Sequence, residues 1–199
     1  MKISSRYYQQ TDTLMIAKQL LGAHLITEVE PGQITIGRIV ETEAYCGIND
    51  KASHAYNGRH TARTAPLFEA GGIAYIYLCY GIHHLFNIVI GPKGSPLAVL
   101  IRALEPLSGI QHMMARRSIP KLTPHLTAGP GRLSQAMGLS TRLTGASLNG
   151  NKIWLEKQKS VSESNIIASP RVGVAYAEED ALNPWRFRIK NSKWTSQAK

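Results

Sequence analysis

Cysteine is scarce in this 199-residue sequence, which contains only Cys46 and Cys79 and no Cys-x-x-Cys pair. Two cysteines are too few for a disulfide framework, and without such a pair they give little support for a zinc site. We expect both to be small, buried apolar residues.

Long hydrophobic runs are absent as well. No apolar stretch approaches the roughly 18 residues that a membrane-spanning helix needs. The first ten residues, MKISSRYYQQ, lack the continuous apolar core of a signal peptide. We therefore expect a cytoplasmic protein that does not associate with membranes.

Acidic residues are few. Aspartate and glutamate number 13 against 23 lysines and arginines, which gives a formal net charge of +10. Such a balance favours a polyanionic partner, nucleic acid before membrane, although charge alone does not distinguish a nucleic-acid-binding protein from a merely soluble one. A hydrophobic content of 43% with 18% charged residues argues against disorder. The length fits one globular domain, spanning residues 1–199.

The order of the elements indicates an α+β fold. The segment from Thr11 to Gly22 is typical of a short helix that Thr11 or Asp12 caps and the glycine closes. Five predicted strands are AHLITEV, ITIGRIVETEAY, GGIAYIYLCYG, HHLFNIVIG and PLAVLIRALEP. Two predicted helices follow, LSGIQHMMARRS and GPGRLSQAMGL, and then three predicted strands, KIWLEKQ, PRVGVAYA and RFRIK. Since no βαβ rhythm is present, we expect a single compact domain with a curved antiparallel sheet flanked by helices.

Polar residues interrupt the predicted central strands. Alternate residues of a strand share a face, which groups Ile39, Glu41, Glu43 and Tyr45 on one face and Val40, Thr42 and Ala44 on the other. The same counting groups Tyr75 with Tyr77, Asn87 with Leu85 and Val89, and Arg102 with Leu100. A buried charge without a partner is costly, so we expect Glu43 and Arg102 to face one another or a wet cleft.

Taken alone, these residues leave several interpretations open. Glu43 and Arg102 could be an ion pair that only joins strands, and Tyr45 and Tyr77 could be ordinary core aromatics. His54, in a predicted loop, could be a solvated histidine. A metal site formed by Glu43, His54, His83 and His84 is disfavoured, because adjacent strand residues point to opposite faces and no His-Glu-x-x-His pattern is present.

The sequence resembles a known family over nearly all of the chain after Gly22. The matching segments are GRIVETEAY, ASHAYNGR, YIYLCYG followed by FN, VLIRALEPL, GPGRLSQAMGL, PRVGVAYA and PWRFRI. Each segment alone is weak, but in this order the set is similar to the alkyladenine (3-methyladenine) DNA glycosylases. The motif-bearing core covers about residues 37–190.

The resemblance implies a monofunctional DNA glycosylase without metal or other cofactor. Such an enzyme flips an alkylated or deaminated purine out of duplex DNA and hydrolyses its N-glycosidic bond, which leaves an abasic site for base excision repair. The substrates implied are 3-methyladenine, 7-methylguanine, hypoxanthine and ethenoadenine. The protein would act as a monomer on damaged double-stranded DNA, in the cytoplasm or nucleoid of a prokaryote or in a eukaryotic nucleus. Lys51 matches no functional position, so no lyase step is expected.

The resemblance also implies roles for particular residues. Glu43 resembles the general base that activates water, supported by Arg102, which we expect to keep the pKa of Glu43 low, and by the carbonyl of Val172. Roles in binding the flipped base fall to Tyr45 and Tyr77 as stacking walls, to His54 as a side contact and to Asn87, whose bulk would repel the 2-amino group of guanine.

Further positions concern the duplex. Tyr80 resembles the wedge that fills the gap left by the flipped nucleotide. Arg59, Arg63 and Arg132 are expected to contact phosphates of the backbone. The sequence departs from the family at Leu67, where many members have a methionine that touches the duplex, and at His83 and His84, where some have aromatic residues.

Three other functions remain open from the residues: a binding module that recognises damaged DNA without cutting it, a metal-dependent hydrolase and a simple RNA-binding protein. Glu43 and Arg102 argue against the first, because binding alone does not need a carboxylate that activates water. Insensitivity to EDTA would exclude the second. The third has no use for an asparagine that excludes guanine at position 87.

Overall fold

Two long neighbouring strands form the centre of the sheet in a computed structural model that describes residues 1–197. The described residues contain eight strands: β1 (His24–Thr27), β2 (Thr35–Tyr45), β3 (Ala74–Cys79), β4 (His83–Ile90), β5 (Leu97–Ser108), β6 (Ile153–Glu156), β7 (Ile166–Ser169) and β8 (Arg186–Ile189). They also contain four α-helices: α1 (Ser5–Tyr8), α2 (Thr13–Gln19), α3 (Ile110–Arg117) and α4 (Pro130–Ala136). None of these helices is long and apolar enough to cross a membrane.

The sheet is antiparallel and branches at β2. The main path has the order β3-β4-β5-β2-β1-β6, and β8 pairs both β2 and β7. The first part of β2 pairs β1, from Thr35 to Arg38, and the part from Glu41 to Glu43 pairs β8. The sheet therefore curls around β2 into a half-barrel, and the predicted α+β class with a curved antiparallel sheet is confirmed.

An irregularity in β2 changes which side chains share a face. The register of β2 against β5 shifts between Ile39 and Glu41 and again between Glu41 and Thr42, as at a β-bulge. Ile39 consequently packs in the main core with Ala44, whereas Val40 lies in a separate cluster. The prediction that Ile39 shares the face of Glu43 is therefore wrong, because strict alternation fails across the bulge.

The helical prediction near the N-terminus is confirmed. The side chain of Asp12 caps α2 by accepting a hydrogen bond from the backbone N–H of Met15 at 2.9 Å. Ile16 and Leu20 are fully buried against the sheet in the main core. Gly22 follows with a φ of +88°, a backbone conformation that glycine adopts without steric cost.

The segment PRVGVAYA is not a strand, so that prediction is wrong. Pro170 follows the end of β7 and lacks the N–H that a ladder hydrogen bond needs. Gly173 then has a φ of +73°, and a 3-10 helix begins at Ala175. Besides β2, β8 pairs β7, a strand that the sequence did not predict because it is only four residues long.

Candidate functional site

A cavity of about 700 Å³ lies over the face of the sheet that carries the polar residues. The predicted site residues that line it are Tyr45, His54, Arg63, Tyr77, Tyr80, Asn87, Arg102, Arg132 and Val172. Glu43 is fully buried and contacts three of these lining residues. Arg59 is exposed and does not line the cavity. The fold thus brings together all of the predicted site residues except Arg59.

Three donors hold the carboxylate of Glu43. Its Oε1 accepts from the backbone N–H of Val172 at 2.8 Å and lies 3.2 Å from Nη1 of Arg102. Its Oε2 accepts from the hydroxyl of Tyr45 at 3.0 Å. The predicted facing of Glu43 and Arg102 is confirmed. The group of Val172 that contacts Glu43 is its N–H, whereas the role expected for its carbonyl stays a prediction.

Burial raises the pKa of Glu43 above its ordinary value. Arg102 lowers that pKa, as do the N–H of Val172 and the hydroxyl of Tyr45, but together they do not outweigh the loss of water around the carboxylate. The expectation that Arg102 keeps the pKa of Glu43 low is therefore wrong, because the carboxylate is more deeply buried than the sequence indicates.

Arg102 bridges two carboxylates. Its Nε donates to Oε1 of Glu41 at 2.9 Å while its Nη1 faces Glu43. Burial alone would lower the pKa of Arg102, but the charges of Glu43 and Glu41 raise it above its ordinary value. Arg186 adds a second guanidinium, with its Nε 3.7 Å from Glu41. The carboxyl groups of Glu41 and Glu43 and the guanidinium groups of Arg102 and Arg186 thus lie together beneath the cavity.

Two members of this charged cluster, Glu41 and Arg186, were not identified as site residues from the sequence. Glu41 was placed on the face of Glu43 by alternation, but no role followed from its position. Arg186 lies in β8, and nothing local in the segment RFRIK shows that β8 pairs with β2 beside Glu41. That pairing joins residues more than 140 positions apart, which periodicity does not reveal.

Aromatic side chains form the walls of the cavity. Tyr75 and Tyr77 share a face of β3, with ring centroids 5.7 Å apart, and His54 lies edge-on to Tyr77 at 4.5 Å. Nδ1 of His54 and the hydroxyl of Tyr75 are hydrogen-bonded at 2.9 Å. Burial, together with Arg63 and Arg59, lowers the pKa of His54 to about 4. The imidazole is therefore neutral at neutral pH.

Asn87 is buried on β4 with a fixed orientation. Its amide nitrogen donates to the carbonyls of Tyr75 at 3.1 Å and Leu85 at 3.2 Å. Because both bonds go to acceptors, the amide cannot be turned around without losing them. The NH₂ group of Asn87 is thus hydrogen-bonded to backbone carbonyls, and the residue lines the cavity.

Tyr80 lies at the tip of the β3–β4 hairpin and is 86% exposed. Tyr80 and Gly81 have φ values of 51° and 73°, and the N–H of Ile82 donates to the carbonyl of Cys79 at 3.1 Å. Positive φ at both central residues is the geometry of a type I′ turn. Because tyrosine rarely adopts it, the backbone is strained to present an aromatic ring to solvent beside the cavity.

The predicted phosphate-contacting arginines differ in their surroundings. The guanidinium of Arg63 lies 5.3 Å from the ring centroid of Tyr77, and Nη1 of Arg132 donates to the carbonyl of Ala128 at 3.2 Å. Arg59, Arg63 and Arg132 are all exposed. Their contact with DNA stays a prediction.

Two of the three departures from the family pattern, Leu67 and His83, line the cavity. Leu67 is only 3% exposed and packs with Tyr75, so it supports the aromatic wall and does not protrude. His83 lines the cavity, where a Cβ on Gly131 would approach its ring to 2.9 Å. His84 is half-buried on the adjacent position of β4.

A second ion pair supports the cavity wall behind Tyr45. Arg171 and Asp50 form two hydrogen bonds, at 2.6 and 2.8 Å, and both side chains are fully buried. The guanidinium of Arg171 lies 4.9 Å from the ring centroids of both Tyr45 and Trp185. Neither Arg171 nor Asp50 was identified from the sequence, because their pairing depends on a contact between distant loops.

Within residues 1–197, no three His, Cys, Asp or Glu side chains gather into a group that could hold a metal ion. The cysteines, Cys46 and Cys79, are both half-buried and unpaired in the structure.

Comparison with known proteins shows the family to which the chain belongs. A sequence model of methylpurine-DNA glycosylase matches residues 6–193. A protein of Chlamydia felis is 47% identical over 190 residues, which cover 94% of this chain and 96% of the relative. A protein of Bacillus cytotoxicus is 43% identical over 206 residues, covering 99% and 100%. Both carry the name "Putative 3-methyladenine DNA glycosylase". The resemblance found in the sequence is thereby confirmed, and the chain belongs to the methylpurine-DNA glycosylase family.

Proposed function

We propose that this protein is a monofunctional DNA glycosylase that flips damaged purines out of duplex DNA and hydrolyses their N-glycosidic bond. The substrates are alkylated and deaminated purines: 3-methyladenine, 7-methylguanine, hypoxanthine and ethenoadenine. The product is an abasic site, which feeds base excision repair. The whole chain acts as one monomeric domain in the cytoplasm or around the nucleoid. The observation that carries the proposal is a fully buried carboxylate, Glu43, held by three donors beside a cavity with aromatic walls.

Glu43 acts as the general base for the attacking water. Loss of a purine generates an oxocarbenium-like sugar, so a nearby carboxylate both accepts a proton from water and stabilises the positive charge. The contacts to Arg102, Val172 and Tyr45 fix the carboxylate in one orientation. Among the residues that the structure describes, only Tyr45 donates to Oε2, which leaves a lone pair of Oε2 for the water. The carbonyl of Val172, a residue that lines the cavity, holds the other side of that water.

Tyr45 and Tyr77 are the walls between which the flipped base stacks, each contributing about 1–3 kcal/mol. A neutral His54 contacts the base from the side without repelling a cationic alkylpurine, because its lowered pKa keeps the proton off the ring. Asn87 excludes normal guanine by its bulk. Its NH₂ group is held by backbone carbonyls, so the side chain cannot turn aside for the 2-amino group.

Tyr80 enters the duplex as the wedge. An exposed ring on a strained turn offsets part of the cost of extruding a nucleotide, which is a few kcal/mol, by restoring stacking contacts. The exposed arginines Arg59, Arg63 and Arg132 bind the flanking phosphates, in keeping with the net charge of +10.

The absence of a suitable amine supports a hydrolytic reaction without a lyase step. A lyase needs an amine nucleophile at the sugar, and no lysine within residues 1–197 lines the cavity. Lys51, the lysine of the loop before His54, forms ion pairs with Glu178 and Glu179 on the surface. Water activated by Glu43 is therefore the nucleophile.

The test uses duplex oligonucleotides that carry one hypoxanthine or one ethenoadenine, incubated with purified protein in EDTA. Hot alkali then cleaves at any abasic site. We expect strand cleavage only after alkali with the wild-type protein, and its loss in Glu43→Gln while binding to the duplex persists. Cleavage without alkali would contradict the monofunctional mechanism. Absence of cleavage on these lesions and also on 3-methyladenine and 7-methylguanine would show a protein that only binds DNA.

A further inference from the structure

A C-terminal segment, residues 192–196, lies against the buried carboxylate of Glu41 beneath the cavity. Trp194, only 7% exposed, packs with Val40 and Ala103 and anchors the segment to β2 and β5. Ser196 is 8% exposed. It lies beyond residue 193, where the match to the family model ends.

Ser196 makes three contacts with the charged cluster. Its backbone N–H donates to Oε2 of Glu41 at 2.6 Å, and its hydroxyl donates to Oε1 of Glu41 at 2.7 Å. The same hydroxyl accepts from Nη2 of Arg102 at 3.3 Å. Ser196 therefore supplies two of the three hydrogen bonds that the carboxylate of Glu41 receives from residues 1–197.

We propose that Ser196 is a positioning residue for base excision, which saturates Glu41 and so keeps Arg102 directed at Glu43. This inference rests on the proposed role of Glu43 as the general base. It assigns to the C-terminal segment a part in the active site that the cavity-lining strands alone do not provide.

The geometry of Arg102 carries the argument. Its contact with Glu41, at 2.9 Å, is shorter than its contact with Glu43, at 3.2 Å, so the two carboxylates compete for one guanidinium. The hydroxyl of Ser196 satisfies the same Oε1 of Glu41 to which Arg102 donates. Without that hydroxyl, Oε1 loses a donor inside a dry site, and Arg102 moves closer to Glu41 and further from Glu43.

A longer contact between Arg102 and Glu43 would affect the ionisation of Glu43. The titratable and charged groups around its carboxylate are Glu41 and Tyr45 from β2, Tyr77 from β3, Arg102 from β5, Arg171 from the loop after β7 and Arg186 from β8. Arg102 opposes the effect of burial on Glu43 more strongly than any other neighbour. Weakening this contact should therefore reduce the ionised fraction of Glu43.

The experiment compares Ser196→Ala, which removes the hydroxyl, with Ser196→Thr, which keeps it. Ser160→Ala, at an exposed position, is the matched control. Single-turnover excision of hypoxanthine is measured against pH together with affinity for the duplex. We expect Ser196→Ala to be slower at pH 7 by on the order of tenfold, the effect of one charged hydrogen bond, with the acidic limb of its profile at higher pH. Affinity should stay at the wild-type value, and Ser196→Thr and Ser160→Ala should match the wild type.

A ¹³C titration of the glutamate carboxyl groups, with Glu43→Gln to assign the resonance, separates this inference from the proposed function. We expect the midpoint of Glu43 to be higher in Ser196→Ala than in the wild type, whether or not base release occurs. An unchanged midpoint would overturn the positioning role. A slower Ser196→Ala protein with an unchanged pH profile and reduced duplex affinity would likewise show a purely structural effect. If wild-type protein releases no base, the proposed function fails, while the titration still decides the role of Ser196.

Discussion

Replacing Glu43 by glutamine removes one charge and changes almost no volume. The amide can reproduce the polar contacts, because its oxygen can accept from the N–H of Val172 and its nitrogen can donate to the hydroxyl of Tyr45. Arg102 keeps its hydrogen bond to Glu41 at 2.9 Å and is not left without a partner. The substitution therefore tests the chemistry of the carboxylate with little disturbance of the fold.

The expected loss of rate follows from the role that we propose for Glu43, that of a general base. A positioned base contributes about 10²- to 10⁴-fold, and glutamine cannot accept a proton from water. We expect single-turnover excision of hypoxanthine to fall by that amount, while binding to the lesion duplex is retained. A smaller loss for 7-methylguanine would be consistent with its readier departure as a cation, since less help from the nucleophile is then needed.

The pH dependence has a defined sign. The carboxylate must be ionised to act, and burial raises its pKa, so excision should decline on acidification at a pH above that expected for an exposed glutamate. The free energy of unfolding should change in the opposite direction and increase on acidification. Because folding raises this pKa, the folded chain holds the proton more tightly, and the contribution to stability is lost as pH rises from the unfolded to the folded pKa.

Glu43→Gln should then be at least as stable as the wild type at neutral pH, which urea unfolding at pH 7 measures. Single-turnover excision between pH 4 and 9 gives the acidic limb, and the residual activity of the variant should lack it. The reasoning would be refuted by a variant that retains more than a tenth of the wild-type rate. It would equally be refuted by a variant that is clearly less stable than the wild type at pH 7.

Substitutions at three further positions test other parts of the site. Tyr80→Gly should weaken binding to lesion duplexes by about 1–3 kcal/mol in a titration. It should also raise the free energy of unfolding by up to about 1 kcal/mol, because glycine adopts the positive φ at this position without strain. A lower free energy of unfolding would contradict the inferred strain. Tyr77→Ala should lose about 1–3 kcal/mol of lesion affinity and Tyr77→Phe almost none; equal losses would argue against stacking. Asp50→Ala should lower the free energy of unfolding in urea by about 3–5 kcal/mol, because the buried guanidinium of Arg171 then loses the carboxylate with which it pairs. The control Asp12→Ala, which removes only a helix cap, should cost about 1 kcal/mol.

The sequence predicted the parts of the site that follow from strand alternation. Tyr75 and Tyr77 share a face, as do Leu85 and Asn87, because β3 and β4 pair in continuous register. Alternation failed only near Ile39, where a bulge inserts an extra residue. Bulges depend on how a strand fits its neighbours, so they leave no mark in the periodicity of one strand.

The parts that the sequence could not predict depend on long-range contacts. Glu41 gains its importance from Arg186 and Ser196, which approach it from β8 and from the C-terminal segment. Asp50 and Arg171 are more than 120 positions apart. The sequence could not predict the direction of the pKa shift of Glu43 either, because its complete burial results from several elements that cover the carboxylate from different directions.

The charges of the cavity follow from one physical effect acting on two groups. Burial disfavours the charged form of both His54 and Glu43, lowering the pKa of the first and raising that of the second. His54 is surrounded by arginines that reinforce the effect of burial, so it stays neutral. Glu43 has Arg102, the N–H of Val172 and the hydroxyl of Tyr45 to oppose it, and these donors favour the anion. In the proposed reaction, His54 offers a neutral wall to a base that can itself be cationic, and the anionic form of Glu43 acts where hydrolysis would develop positive charge on the sugar.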